Sequence, residues 1–170
     1  MSAIQVIKLA KATNVKRFHT VPIIGEQNIG HHSLRVALIL RYVLNGNVSN
    51  SLIWATLFHD LAEVTIGDIP SQAKGSSERL SDLLDDWENT WHFDNGTDIF
   101  LTEEENMFLS IADKLELVLF CTEQMLLGNK NCIEIRDRGT NYCLDKIGLV
   151  TSKFHLNIHN FIEECYCECR

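Results

Sequence analysis

The stretch SLIWATLFHDLAEV, residues 51–64, is an apolar segment of helical character that carries the pair His59-Asp60 near its end. Charged groups beside an apolar core cost free energy unless a partner or a metal ion compensates them. His32 lies 27 residues before His59, and Asp113 lies 53 residues after Asp60. Two imidazoles and two carboxylates brought together would bind a divalent transition metal, which supplies that compensation. The sequence therefore predicts a metal-dependent enzyme.

The composition predicts a single ordered domain over residues 1–170. About 45% of the residues are hydrophobic and only two are proline, which suits one sizeable core. No apolar stretch approaches the ~20 residues of a membrane span, and the first residues lack the apolar core of a signal peptide. We therefore expect a cytoplasmic protein that has no membrane partner.

The formal net charge of −8 argues against a polynucleotide partner, because an acidic surface repels a phosphate backbone. A single nucleotide held at a metal by a few local cations remains compatible with that charge. The six cysteines form no Cys-x-x-Cys pair, and free thiols are the expectation for a cytosolic protein. The alternative is a metal site in the C-terminal tail, formed by Cys165, Cys167 and Cys169. Such a site lacks a recognisable fourth ligand.

Helical periodicity runs through nearly the whole chain and predicts an all-α fold without strands. Ser49 or Asn50 is a suitable N-cap, Thr102 with Glu105 fits a capping box, and Gly128-Asn129 ends the helix that follows. Breakers in 13–30 and 65–77 predict loops there. The predicted helices cover residues 3–12, 31–45, 49–64, 76–92, 103–127, 131–147 and 152–165.

The spacing around His59 also predicts a nearby acid. On a continuous helix Glu63 shares a face with both His59 and Asp60, so its carboxylate could orient or deprotonate a metal-bound water. Taken alone, the His-Asp dipeptide and Asp113 can each be explained without a metal. A His-Asp dipeptide is commonly a helix-end pair, and Asp113 could be ion-paired to Lys114 or Arg136. His31, adjacent to His32 and about 100° away on a helix, is expected to point away from the metal.

The order of these residues resembles the HD-domain metal-dependent phosphohydrolases. Within them it is most similar to the bacterial 5'-deoxynucleotidases and their phage relatives. The resemblance runs from about residue 14 to 128 and implies an HD-domain helical bundle. The motifs that carry it are KRF at 16–18, QNIGHHS at 27–33, HDLAEV at 59–64, GDIP at 67–70 and IADKLE at 111–116.

The resemblance implies a role for each matching residue. Glu63 becomes the general acid/base and Asp68 a second catalytic group, which faces the deoxyribose or the attacking water. Arg17 and Lys74 become phosphate contacts, although each could also be an ordinary solvated cation. Phe18 stands where the family has tryptophan, which keeps a ring and loses the indole N–H. The implied metal ligands are His32, His59, Asp60 and Asp113, and the implied substrate contacts are Arg17, Phe18, His32, Asp68, Ser71 and Lys74.

The activity implied is hydrolysis of the α-phosphate ester of a deoxynucleotide, with Co, Zn or Mn as the cofactor and a homo-oligomer as the assembly. The phage relatives include dATP triphosphohydrolases, and the short chain looks most like those. dATP would then give deoxyadenosine and tripolyphosphate, with dADP and dAMP as further substrates. The alternatives are a nucleotidase acting mainly on dNMPs, an HD-type cyclic-nucleotide phosphodiesterase, a non-enzymatic nucleotide sensor and a purely structural helical protein.

Overall fold

The structure, a computed structural model, describes residues 1–168, and within them nearly all regular structure is helical. The longest helix, Glu103–Leu126, packs against four other helices and is therefore the centre of the bundle. The elements in chain order are α1 Ala3–Ala10, β1 Lys16–Arg17, β2 Gln27–Asn28, α2 Ile29–Val43, α3 Asn50–Phe58, α4 Glu63–Ile66, α5 Ser71–Lys74, α6 Glu78–Asn95, α7 Glu103–Leu126, α8 Ile133–Lys146 and α9 His155–Cys167.

The predicted capping box starts α7. The Thr102 side chain accepts from the Glu105 amide, and the Glu105 side chain accepts from the Thr102 amide. Behind this cap a continuous apolar face packs into the main core, and Gly128 ends the segment at φ +90°. Gly139 lets α8 approach closely, since a Cβ there would lie 3.2 Å from Cγ2 of Val118.

The all-α prediction is confirmed, and one very short strand pair accompanies the helices. β1 and β2 form a two-residue antiparallel ladder in which Lys16 faces Asn28 and Arg17 faces Gln27. Two residues are too few for alternation to appear in a sequence. The ladder matters because it brings Arg17 next to the start of α2, where Asn28 is the N-cap.

The predicted continuous helix over 49–64 is wrong. Helix α3 starts as expected, with the Ser49 side chain accepting from the amide of Leu52, but it ends at Phe58. Tight turns follow, in which the Leu61 amide donates to the Phe58 carbonyl at 2.9 Å. Leu61 packs in a separate small cluster with Leu9 and Ala12. The chain therefore leaves the helical path at the point where Leu61 makes this tertiary contact.

The remaining bounds differ from the prediction by a few residues at helix ends, apart from α5, which lies inside the predicted loop 65–77. Cys121, Cys132 and Cys143 are buried free thiols, Cys167 is an exposed one, and Cys165 is buried, whereas Cys169 lies outside the described residues. Over residues 1–168, none of the helices combines the length and apolarity that crossing a membrane requires.

Candidate active site

Two histidines face each other at the centre of the site. His32, in the first turns of α2 and fully buried, places its Nε2 atom 3.2 Å from Nε2 of His59, which follows the last residue of α3. The Nδ1–H of His59 donates to the Thr56 carbonyl at 2.7 Å, and Nδ1 of His32 lies 2.8 Å from a carboxylate oxygen of Glu116. Both Nδ1 atoms therefore carry hydrogen, which leaves the two Nε2 lone pairs facing each other.

Two carboxylates complete this donor set. Asp113 Oδ1 lies 3.1 Å from Nε2 of His32. Asp60 lies 3.5 Å from Nε2 of His32 and 3.4 Å from Nε2 of His59. One donor atom from each of His32, His59 and Asp113 lies within 4.8 Å of the other two. Facing nitrogen lone pairs repel unless a proton or a cation lies between them, so the arrangement fits one divalent ion of the nitrogen- and oxygen-binding kind.

A proton takes that role when no metal is bound. Burial opposes a charge on His32, but hydrogen bonds to Asp113 and Glu116 raise its pKa to about 9. Burial would raise the pKa of Asp113, yet the hydrogen bond to His32 and the ammonium group of Lys114 hold it well below its usual range. At neutral pH a metal would therefore have to displace a proton from this pair.

Glu63 lies beside this cluster at the start of α4 and is only 7% exposed. Its Oε2 atom is buried, with no hydrogen-bond partner among residues 1–168. Burial, with the negative charges of Asp60 and Asp68, raises the pKa of Glu63 to about 8. Without a metal the carboxyl therefore keeps its proton at neutral pH, as a group poised for proton transfer does.

The cations expected to bind phosphate already have carboxylate partners. The Arg17 guanidinium forms an ion pair with Asp60, and Lys74 lies 3.0 Å from a carboxylate oxygen of Glu88. Burial opposes the charge on Arg17, but Asp60 and the other acids of the site still raise its pKa. The Arg17 Nε atom is buried without a hydrogen-bond partner in the described chain.

Phe18 has a positive φ of 58°, which a non-glycine residue rarely adopts, and its ring centroid lies 4.6 Å from that of Phe120. Asp68 lies 3.6 Å from Nδ1 of His19. Ser71 is exposed at the start of α5. His31 is exposed, as expected, and Asp113 does bind Lys114, at 2.7 Å.

One cleft gathers most of the residues singled out by sequence. It is lined by Arg17, Phe18, Asp60, Glu63, Asp68, Ser71, Lys74 and Asp113. Sequence reasoning missed the opposite wall, where Leu117, Ile135 and Arg138 line the same cleft. No motif in α8 could have revealed Ile135 or Arg138. Glu116 was missed as well, although its position one turn after Asp113 was a usable signal.

Comparison with known proteins identifies relatives for most of the chain. The family described as 5'-deoxynucleotidase YfbR-like matches residues 6–94. A 5'-deoxynucleotidase of Enterobacter sp. strain 638 is 24% identical, covering 76% of this chain and 77% of that protein.

Two solved structures share the fold. The HD phosphohydrolase DatZ of cyanophage S-2L, bound to dA and one catalytic Zn²⁺ ion, is 19% identical; the match covers 95% of this chain and 96% of DatZ with a TM-score of 0.75. An HD-domain phosphohydrolase from Listeria innocua is 22% identical, with coverage of 99% and 90% and a TM-score of 0.70.

Proposed function

The chain belongs to the YfbR-like 5'-deoxynucleotidase family and has the HD-domain fold, and from that premise we propose that it hydrolyses deoxynucleoside triphosphates at the α-phosphate, with dATP preferred. The products would be deoxyadenosine and tripolyphosphate, with dADP and dAMP as further substrates. The observation that carries the proposed chemistry is the 3.2 Å separation of the Nε2 atoms of His32 and His59, beside the buried carboxyl of Glu63.

The proposed metal ligands are His32, His59, Asp60 and Asp113, and Zn, Co or Mn suits that donor set. Such an ion, when bound, lowers the pKa of a water from 15.7 towards ~7 and polarises a phosphoryl oxygen. The histidine tautomers support this assignment, because Thr56 and Glu116 fix Nδ1–H on each ring and leave Nε2 free. The Zn²⁺ ion of DatZ supports it by analogy.

The chain's own residues supply the other parts of the reaction. The bond between phosphorus and the 5' oxygen breaks, and the leaving oxygen needs a proton, which the Glu63 carboxyl is placed to donate. Arg17 presents a guanidinium fork beside the metal ligands, a geometry suited to a phosphate. Lys74 and Ser71 line the same cleft and would contact the phosphates, and Asp68 would face the sugar or the water.

The apolar part of the cleft suits a purine, and the choice of adenine rests on the likeness to DatZ. Phe18, Leu117 and Ile135 line this part of the cleft and offer hydrocarbon and ring surface to a purine. The preference for 2'-deoxyribose supposes that no group of the cleft is placed to bind a 2' hydroxyl, which would then lose water without gaining a partner. The dA bound to DatZ agrees with both preferences by analogy.

A substrate panel tests the proposal. Rates for dATP, dAMP, ATP, dGTP and cyclic AMP are measured with Zn, Co, Mn and Mg in turn. We expect kcat/KM for dATP to exceed that for ATP by roughly 10-fold or more, the discrimination that one unmatched polar group gives. Release of tripolyphosphate rather than orthophosphate identifies cleavage of the ester that joins the α-phosphate to the deoxynucleoside.

The same panel can contradict each part separately. Equal values for ATP and dATP would remove the deoxyribose preference, and a dGTP value at or above that for dATP would remove the adenine preference. A dAMP value above that for dATP would favour a monophosphate nucleotidase. Turnover of cyclic AMP alone would favour the phosphodiesterase alternative.

We also propose that the chain forms a homo-oligomer through the outer face of α2. Leu34, Leu38 and Tyr42 lie four residues apart on this face and are 58%, 59% and 45% exposed. A ridge of large apolar side chains suits burial against a second copy. Light scattering should give a mass of at least twice 19.4 kDa for the wild type. Leu38→Glu should lower it to that of one chain, whereas a monomeric wild type would refute the proposal.

A further inference from the structure

His32 is held between two carboxylates of the same helix. Asp113 Oδ1 lies 3.1 Å from its Nε2 atom, and Glu116 Oε2 lies 2.8 Å from its Nδ1 atom. The two acids are three residues apart on α7, so they share one face of that helix. The carboxylate of Asp113 lines the cleft, whereas the carboxylate of Glu116 lies inside the protein and is fully buried.

Three donors converge on the buried Glu116 carboxylate. Besides His32, the side-chain amide of Gln27 donates to Oε1 at 2.8 Å, and Nε of Arg35 lies 3.2 Å from the same oxygen. Arg35 also donates two hydrogen bonds to Glu123, at 2.9 and 2.8 Å. A buried carboxylate is tolerable only when such partners are in place, so these groups form a single arrangement.

The Gln27 contact extends this arrangement to the substrate side of the site. Gln27 is buried in β2 and is the residue directly opposite Arg17 in β1. The same carboxylate therefore contacts a metal-ligand candidate and the strand partner of the arginine beside the cleft. Both connections come from one residue on the central helix.

We propose that Glu116 is a positioning residue that sets both halves of the active site. Through His32 it fixes hydrogen on Nδ1 and directs the Nε2 lone pair at the metal; through Gln27 it holds the ladder that presents Arg17. Carboxylates in this relation to a ligand histidine characteristically strengthen metal binding by about 10–100-fold. The inference rests on the metal site of the proposed function, although not on the identity of its substrate.

Glu116→Gln is an informative substitution because all three partners are donors. The amide keeps nearly the same volume, but the negative charge disappears, and its NH₂ group finds an acceptor only if the Gln27 amide or the His32 tautomer reverses. Glu123→Gln is the matched control, since Glu123 is an acid of the same helix that also binds Arg35 and is far more exposed than Glu116.

The main measurement is the affinity for Zn²⁺, obtained by competition with a chromogenic chelator on the full chain. We expect about 10–100-fold weaker binding in Glu116→Gln and less than threefold change in Glu123→Gln. The absorption spectrum of the Co²⁺-loaded protein should shift in Glu116→Gln only. Wild-type affinity and an unchanged spectrum in a folded Glu116→Gln protein would overturn the proposal, as would equal losses in both variants.

Two further variants keep the test decisive. If Glu116→Gln does not fold, Glu116→Asp retains the charge one methylene further away, and it should still bind Zn²⁺ more weakly than the wild type. Gln27→Met tests the Arg17 connection: we expect KM to rise several-fold, with a smaller loss of Zn²⁺ affinity than in Glu116→Gln because the contact between Glu116 and His32 remains. An unchanged KM would overturn that half. If Glu116→Gln binds Zn²⁺ more weakly but the wild type hydrolyses no nucleotide, the proposed substrate is refuted and the positioning role of Glu116 is not.

Discussion

His59→Ala and Asp60→Ala are each expected to remove bound metal and hydrolytic activity together. Each substitution deletes a donor that lies within 3.5 Å of a facing imidazole nitrogen. A direct ligand should matter more than an outer partner, whose loss costs 10–100-fold, so we expect metal affinity to fall by more than about 100-fold. Asp60→Ala also leaves Arg17 without its carboxylate partner.

Elemental analysis after dialysis, paired with turnover of dATP, measures both quantities on the same sample. His31→Ala is the matched control, because this neighbouring histidine is exposed and lies outside the donor cluster. It should keep full metal occupancy. Full occupancy with normal turnover in either His59→Ala or Asp60→Ala would exclude the proposed metal centre.

Glu63→Gln is expected to keep the metal and lose turnover. The amide occupies the same volume but cannot give up a proton at neutral pH, and general acid/base groups contribute about 10²–10⁴-fold. The loss should appear in kcat, with metal content equal to that of the wild type. A decrease smaller than about threefold would exclude Glu63 from proton transfer.

The same variant separates the titration of Glu63 from that of its neighbours. The unfolded carboxyl loses its proton near its ordinary pKa of 4.5 and the folded one near about 8, so the metal-free fold loses stability as pH rises across that interval. Between about pH 5.5 and 7.5 the wild type should lose about 2 kcal/mol more than Glu63→Gln in urea unfolding with chelator present. Parallel pH dependences would show that burial does not raise this pKa.

The convergence of His32, His59 and Asp113 could be predicted because each is fixed by a motif on a helix of the bundle. The surroundings of Glu63 could be predicted only in part. The sequence predicts that Glu63 lies one helical turn after His59. In the structure, tight turns replace the helix between them, and Leu61 packs against α1. Glu63 still reaches the cleft, by a path that periodicity does not describe.

Contacts that depend on distant segments escaped prediction altogether. Gln27 and Glu116 are 89 residues apart, and the sequence around neither residue predicts their hydrogen bond. The ladder between β1 and β2 has only two residues on each side, so no alternation marks it. Ile135 and Arg138 reach the cleft because α8 packs on α7, which is a property of the assembled bundle.

The ion pairs of the cleft bear on the order of events in the cell. Arg17 neutralises Asp60, Lys114 neutralises Asp113, and Glu63 keeps its proton, so the acids are compensated before any metal arrives. In a zinc finger, by contrast, the chain remains unfolded until its ion binds. We therefore expect the metal-free chain to fold before it acquires its ion, so that a shortage of metal leaves folded, inactive molecules rather than aggregates.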